Sequence, residues 1–95
     1  MILAEVAGTV VASARADKMD SPVYKLVTPC TPDGKPAGTP IIALDITGAG
    51  PGEIVLVSQG SSVRQTEHTI DKPVDALIMG IVDSVCEAGT EVYRK

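Results

Sequence analysis

The segment Asp45-Ile46-Thr47-Gly48-Ala49-Gly50-Pro51-Gly52-Glu53, running directly into Ile54-Val55-Leu56-Val57, constrains this chain more than any other. Three glycines and a proline fall within five positions, and β-branched apolar residues follow at once. Glycine is required where the backbone takes positive φ or passes close to another chain. Glycines this dense between two strands predict a tight, closely approached turn. Spacing rules against phosphate as the approaching group. A dinucleotide fingerprint needs G-x-G-x-x-G opening a helix, whereas Gly48, Gly50 and Gly52 give G-x-G-x-G before a strand. A P-loop needs a lysine after its last glycine, and here Glu53 stands there, with a charge that repels anions.

The rest of the chain reads as strands. Ile2 to about Ala14 is a long first strand bent at Gly8, and Val23 to Cys30 a second, ended by Pro29 and Pro32. Thr31 to Pro40, with Pro-Asp-Gly, is an exposed loop. Ile41 to Ile46 and Glu53 to Ser58 flank the glycine turn. Gly60 to about Thr69 is a short helix, since Ser62 and Gln65 fit a capping box. Val74 to Val85 is a long strand and Glu91 to Arg94 a final edge piece. This order predicts an all-β fold, a small, OB-like, partly open barrel of about five or six strands with one short helix, in a single domain spanning residues 1–95.

Such a barrel has more apolar surface than it can hide. Hydrophobic residues make up 44% of the chain, with no Phe, no Trp and two Tyr. Both alternating faces are apolar in Ile54-Val55-Leu56-Val57 and in Ala76-Leu77-Ile78-Met79-Gly80-Ile81-Val82. That pattern belongs to sheets covered on both sides, and there is almost no helix to cover them. A neighbouring copy is the expected cover, and different patches meeting with a closing rotation make a ring.

Charge and composition exclude other classes. The net charge of −4 and scattered basic residues argue against nucleic acid and anionic membrane surfaces. Single-strand binders also stack bases on aromatic side chains, and only Tyr24 and Tyr93 are available. No signal peptide is expected, because Glu5 interrupts the first apolar run, and no apolar stretch is long enough to cross a bilayer. Cys30 and Cys86 lack C-x-x-C spacing and read as buried, free thiols of a cytoplasmic protein.

No catalytic constellation emerges. His68 has no partnered nucleophile, and Ser61 and Ser62 lack the G-x-S-x-G elbow. Asp45, Asp75 and Asp83 read as strand-terminating residues or as paired carboxylates or metal ligands. Arg64, with its forked guanidinium, is the natural partner for one of them across a subunit interface. No catalytic residue, metal or cofactor is expected.

The glycine block, with Gly60-Ser61-Ser62 and Arg64, Pro73-Val74-Asp75-Ala76 and Ile81-Val82-Asp83, resembles the signature of the EutN/CcmL family. So does the opening Met1-Ile2-Leu3-Ala4 with Val6, Gly8, Thr9, Val10 and Val11, and so does Lys25-Leu26-Val27. Val63 stands where the family often has alanine, and Ser13-Ala14-Arg15 replaces a more usual Thr-x-Lys. The resemblance implies a non-enzymatic shell protein: a homopentamer that caps the vertices of a bacterial microcompartment in the cytoplasm, beside hexameric shell proteins. In such a ring, five copies of Thr47 to Gly52 are expected to converge on the axis, with Gly48, Ala49, Gly50 and Glu53 edging a narrow opening, the alternative being that the loop only turns a corner at the shell surface. Ser61, Ser62, Arg64 and Asp83 are expected at the subunit interface. The alternative is a small oligomeric OB-like binding module for an unknown ligand.

Overall fold

The computed structural model describes residues 1–11, 23–60 and 75–95. Among these lie seven strands: β1 (Ile2–Val10), β2 (Tyr24–Pro29), β3 (Ile41–Asp45), β4 (Ile54–Gln59), β5 (Ala76–Ile81), β6 (Ser84–Glu87) and β7 (Thr90–Arg94). The first five close into a barrel in the order β1-β2-β3-β5-β4, while β6 and β7 pair with each other as a hairpin. The fold is all-β, as its patterning requires. Where a partly open barrel was expected, the wall closes. The closing seam is a short parallel ladder in which Leu44 faces Leu77 and Asp45 faces Ile78. No local sequence signal marks a parallel contact between residues so far apart in the chain.

The bend expected at Gly8 is present as a register shift between Val6 and Gly8 in the β1–β2 ladder. The long strand expected from Val74 to Val85 is instead two strands. β5 stops at Ile81, and the Val82 N–H turns back to the Ile54 carbonyl at 2.8 Å. β6 then leaves the barrel wall and returns as β7 through Ala88 and Gly89, both at positive φ (51° and 80°). Two successive positive-φ residues suit a two-residue hairpin loop. The helix expected from Gly60 to Thr69 lies outside the described residues, apart from Gly60. That glycine has φ +77°, and its N–H donates to the Asp75 carbonyl at 3.0 Å.

Side-chain size explains the missing Phe and Trp. Nine buried residues fill the main core cluster: Ala4, Val6, Val27, Ala43, Ala49, Val55, Val57, Ala76 and Ile78. The interior of a small barrel narrows as strand number falls, so five strands leave room for alanine and valine but little for an aromatic ring. Alternation along β3 and β5 turns Leu44 and Leu77 to the other side of the wall, where Tyr24 packs against them as a second cluster. Burial at so narrow a lumen makes an added group costly. Ala43→Leu, at a position 1% exposed, is expected to lose about 1–3 kcal/mol by overpacking, measured by urea unfolding at fixed protomer concentration.

Candidate functional site

The glycine turn folds over one end of the barrel, and Asp45 holds it there. Asp45 ends β3 with its carboxylate buried, and both oxygens accept hydrogen bonds from the turn. Oδ1 accepts from the Thr47 N–H at 2.8 Å, the Thr47 hydroxyl at 2.7 Å and the Gly48 N–H at 3.2 Å. Oδ2 accepts from the Ala49 N–H at 3.0 Å. An aspartate bonding backbone N–H groups just ahead of it is the Asx arrangement, here extended over three successive amides. Positive φ at Gly48 (77°) and Gly52 (85°) lets the chain reverse within that reach. The reversal sends the Ala49 methyl into the barrel interior, where it is 1% exposed.

Glu53 secures the far side of the turn. Its Oε1 accepts the Gly50 N–H at 2.5 Å, and its Oε2 pairs with the Lys95 ammonium at 2.7 Å. The backbone is pinned as well: the Val6 N–H donates to the Glu53 carbonyl at 2.9 Å, and the Gly52 N–H to the Val6 carbonyl at 2.8 Å. The Gly50 N–H, and after it Lys95, hold the Glu53 carboxyl below its usual range. Glu53 in turn pushes the Lys95 ammonium up.

The expected site residues fall into three groups. Gly48, Ala49, Gly50 and Glu53 are together in one turn. Gly48, Pro51 and Gly52 are exposed there, whereas the Ala49 side chain points into its own barrel. Asp83 is exposed at the root of the β6–β7 hairpin, and its carbonyl accepts the Lys95 N–H at 2.8 Å. Ser61, Ser62, Arg64 and His68 lie outside the described residues, so the pairing expected between Arg64 and an aspartate does too. Among the described residues, no group of three or more His, Cys, Asp and Glu side chains is placed to hold a metal.

Two readings of single residues change. Asp45 ends β3, as the strand-terminating alternative had it, and beyond that is the clamp of the turn, with both carboxylate oxygens occupied by it, rather than a paired carboxylate or metal ligand. The signal was present in the sequence as an aspartate two residues before a threonine at a glycine turn. Cys86, expected to be buried, is exposed, because it lies on the free hairpin opposite Glu91; Cys30 is half-buried, which pushes its thiol pKa up. Lys95 as the partner of Glu53 had no signal at all.

Two outcomes follow from this geometry. Asp45→Ala leaves the buried Ala49 N–H unsatisfied and is expected to cost about 2–3 kcal/mol in urea unfolding. Glu53→Gln tests the second clamp through pH. A carboxyl held below its unfolded value near about 4.3 contributes stability above that pH and loses it as pH falls through the lower folded value. The native protein is therefore expected to unfold at higher temperature than Glu53→Gln at neutral pH. That gap should shrink below about pH 4 as the carboxylate protonates, as read from thermal midpoints.

Comparison with known proteins places the chain in a family. The family model described as "Ethanolamine utilisation protein EutN/carboxysome" matches residues 1–83. The microcompartment shell vertex protein EutN of Escherichia coli is 38% identical over 95 residues, covering all of both chains. The carboxysome shell vertex protein CcmL of Synechocystis is 37% identical, covering 100% of this chain and 95% of that protein. The solved GrpN pentameric microcompartment shell protein from Rhodospirillum rubrum superposes with a TM-score of 0.83 at 38% identity, covering 93% of this chain and 100% of that one. A clamped glycine turn on a narrow, aromatic-poor barrel is thus carried by a chain that belongs to the EutN/CcmL family of bacterial microcompartment shell vertex proteins.

Proposed function

We propose that five copies of this chain close into a ring that caps a vertex of a microcompartment shell in the bacterial cytoplasm. A shell built from flat hexameric sheets needs fivefold units to curve shut, so the role is geometric and not catalytic. The supporting observation is the placement of apolar residues on the outside of the barrel. Leu26 and Ile42 face each other across β2 and β3, and Ile42 is 55% exposed. On a different arc, Leu3 faces Leu56 across β1 and β4, with Met79 at the irregularity beside them; Leu56 is 37% and Met79 42% exposed. Two distinct apolar patches on one chain suit a heterologous contact, in which one patch of each copy meets the other patch of the next. Five is the number named for the GrpN structure.

Within that ring we assign the glycine turn to the fivefold axis, with Gly48, the Ala49 backbone, Gly50 and Glu53 around a narrow opening. Gly50 supports the assignment. It has no positive φ, and a Cβ there would meet only the Glu53 Oε1, at 3.4 Å. Its own chain therefore has little need of glycine, whereas close approach from outside does. Ser61, Ser62, Arg64 and Asp83 belong to the seam between copies in this reading. The exposed loop from Thr31 to Pro40 is the candidate rim for hexameric shell proteins, because exposed loops carry contacts. Nucleic acid and membrane are not partners in it. Tyr24 is packed on Leu44 and Leu77, and no helix among the described residues is long and apolar enough to cross a membrane.

Native mass spectrometry tests the assembly: a five-subunit species is expected, and a monomer or dimer would favour a small ligand-binding module instead. Ile42→Glu and Leu56→Glu are each expected to shift that species toward monomer while leaving the far-ultraviolet circular dichroism spectrum unchanged. Pro51→Trp tests the axis. Its side chain is exposed on the single chain, so a loss of pentamer without loss of fold is expected, and an unaltered pentamer with an open axis would move the turn elsewhere.

A further inference from the structure

We infer that Glu53 is a shared latch, through which the seating of the β6–β7 hairpin on the barrel governs the order of the glycine turn. One carboxylate serves two elements that are otherwise separate: Oε1 holds the Gly50 N–H of the turn, and Oε2 holds the Lys95 ammonium at the base of the hairpin. Asp45 holds the turn as far as Ala49, the next amide, Gly50, is held by Glu53, and the hairpin meets the same carboxylate through Lys95. A two-stranded hairpin is marginal in water, and among the described residues β6 and β7 pair only with each other. Its root is closed by the Lys95 N–H on the Asp83 carbonyl, and the Tyr93 ring lies against the loop at Gly34, where an added Cβ would sit 3.4 Å from Cδ1. Lys95 is thus fixed at its backbone by the hairpin and at its ammonium by the barrel.

The turn depends on the same group. Asp45 gathers Thr47, Gly48 and Ala49 from one side, and Glu53 takes the next amide, Gly50, from the other. Removing Lys95 frees the outer oxygen of Glu53, restores its side-chain rotamers and lets water compete for the Gly50 N–H. Opening the turn likewise releases the carboxylate that seats the hairpin. A coupling between two sites is reciprocal. An anionic group on a partner that draws Lys95 away from Glu53 would therefore loosen the turn at the barrel mouth. The coupling lies within one chain and does not depend on how many copies assemble.

Hydrogen–deuterium exchange of the intact protein, read by mass spectrometry on peptides covering the turn, β4 and β7, tests it. Lys95→Met is expected to speed exchange in the turn about two- to five-fold, as for loss of a solvent-accessible ion pair, and to leave β4 unchanged. Glu53→Gln should speed both turn and hairpin, and the double variant should match Glu53→Gln alone, because both changes break one connection. Lys95→Arg should keep the native protection. The inference is overturned if Lys95→Met loosens the hairpin but not the turn, if β4 loosens equally, or if the two single effects add in the double variant.

Discussion

The carboxylate of Asp45 is the interaction on which the architecture of this molecule turns. Four donors from Thr47, Gly48 and Ala49 converge on its two oxygens. Burying an ionised carboxylate is costly unless its hydrogen-bonding capacity is filled. Here the turn that fills it is also the turn that seals the barrel. Because Asp45 faces Ile78 in the parallel seam, the same residue sits where the wall closes and where the mouth is covered. The Ala49 methyl then completes the interior from above. Glycine density in this segment follows from that geometry: the chain must reverse tightly enough for successive amides to reach one side chain.

Small side chains inside and large ones outside form the second theme. The buried core cluster takes alanine and valine with one isoleucine, Ile78, while Ile2, Ile41 and Ile81 pack against it partly buried, so interior burial per strand is modest. Ile42, Leu56 and Met79 remain exposed on the outer wall. A small domain removes a limited share of its surface from water, and the proposed ring of copies would add burial that one barrel cannot supply. The exposed apolar residues of the outer wall are what the proposed ring would cover. A five-stranded barrel with apolar patches on separate arcs has two distinct flanks for the proposed contact between copies.

Particular elements show how much the sequence disclosed. β1 with its bend at Gly8, β2, β3 and β4 were legible because alternation, Pro and Gly mark strands and their ends locally. The break at Val82 and Asp83 was not read, although Asp83 and Ser84 interrupt the apolar run there, because Val85 resumes it and the alternation alone does not show that the chain leaves the wall. The glycine turn was legible as a turn, yet the direction of Ala49 was not, because which way a reversal points depends on the barrel beneath it. Cys86 was misplaced for a similar reason: hairpin residues are buried or exposed according to which face docks. The Glu53 and Lys95 pair joins positions too far apart for any local rule to connect.

What the sequence determined by itself was local and compositional: strands, turn chemistry, an interior without aromatic rings, an apolar surplus, and a signature shared with one family. Each of these depends on neighbours a few residues apart or on totals over the chain. Tertiary structure alone decided the parallel seam that closes the wall, the pairing of Glu53 with Lys95, and the division of the apolar surplus into two outer patches. Those are contacts between distant segments, fixed by the geometry of closing five strands into a narrow cylinder, and no short stretch of sequence carries that information.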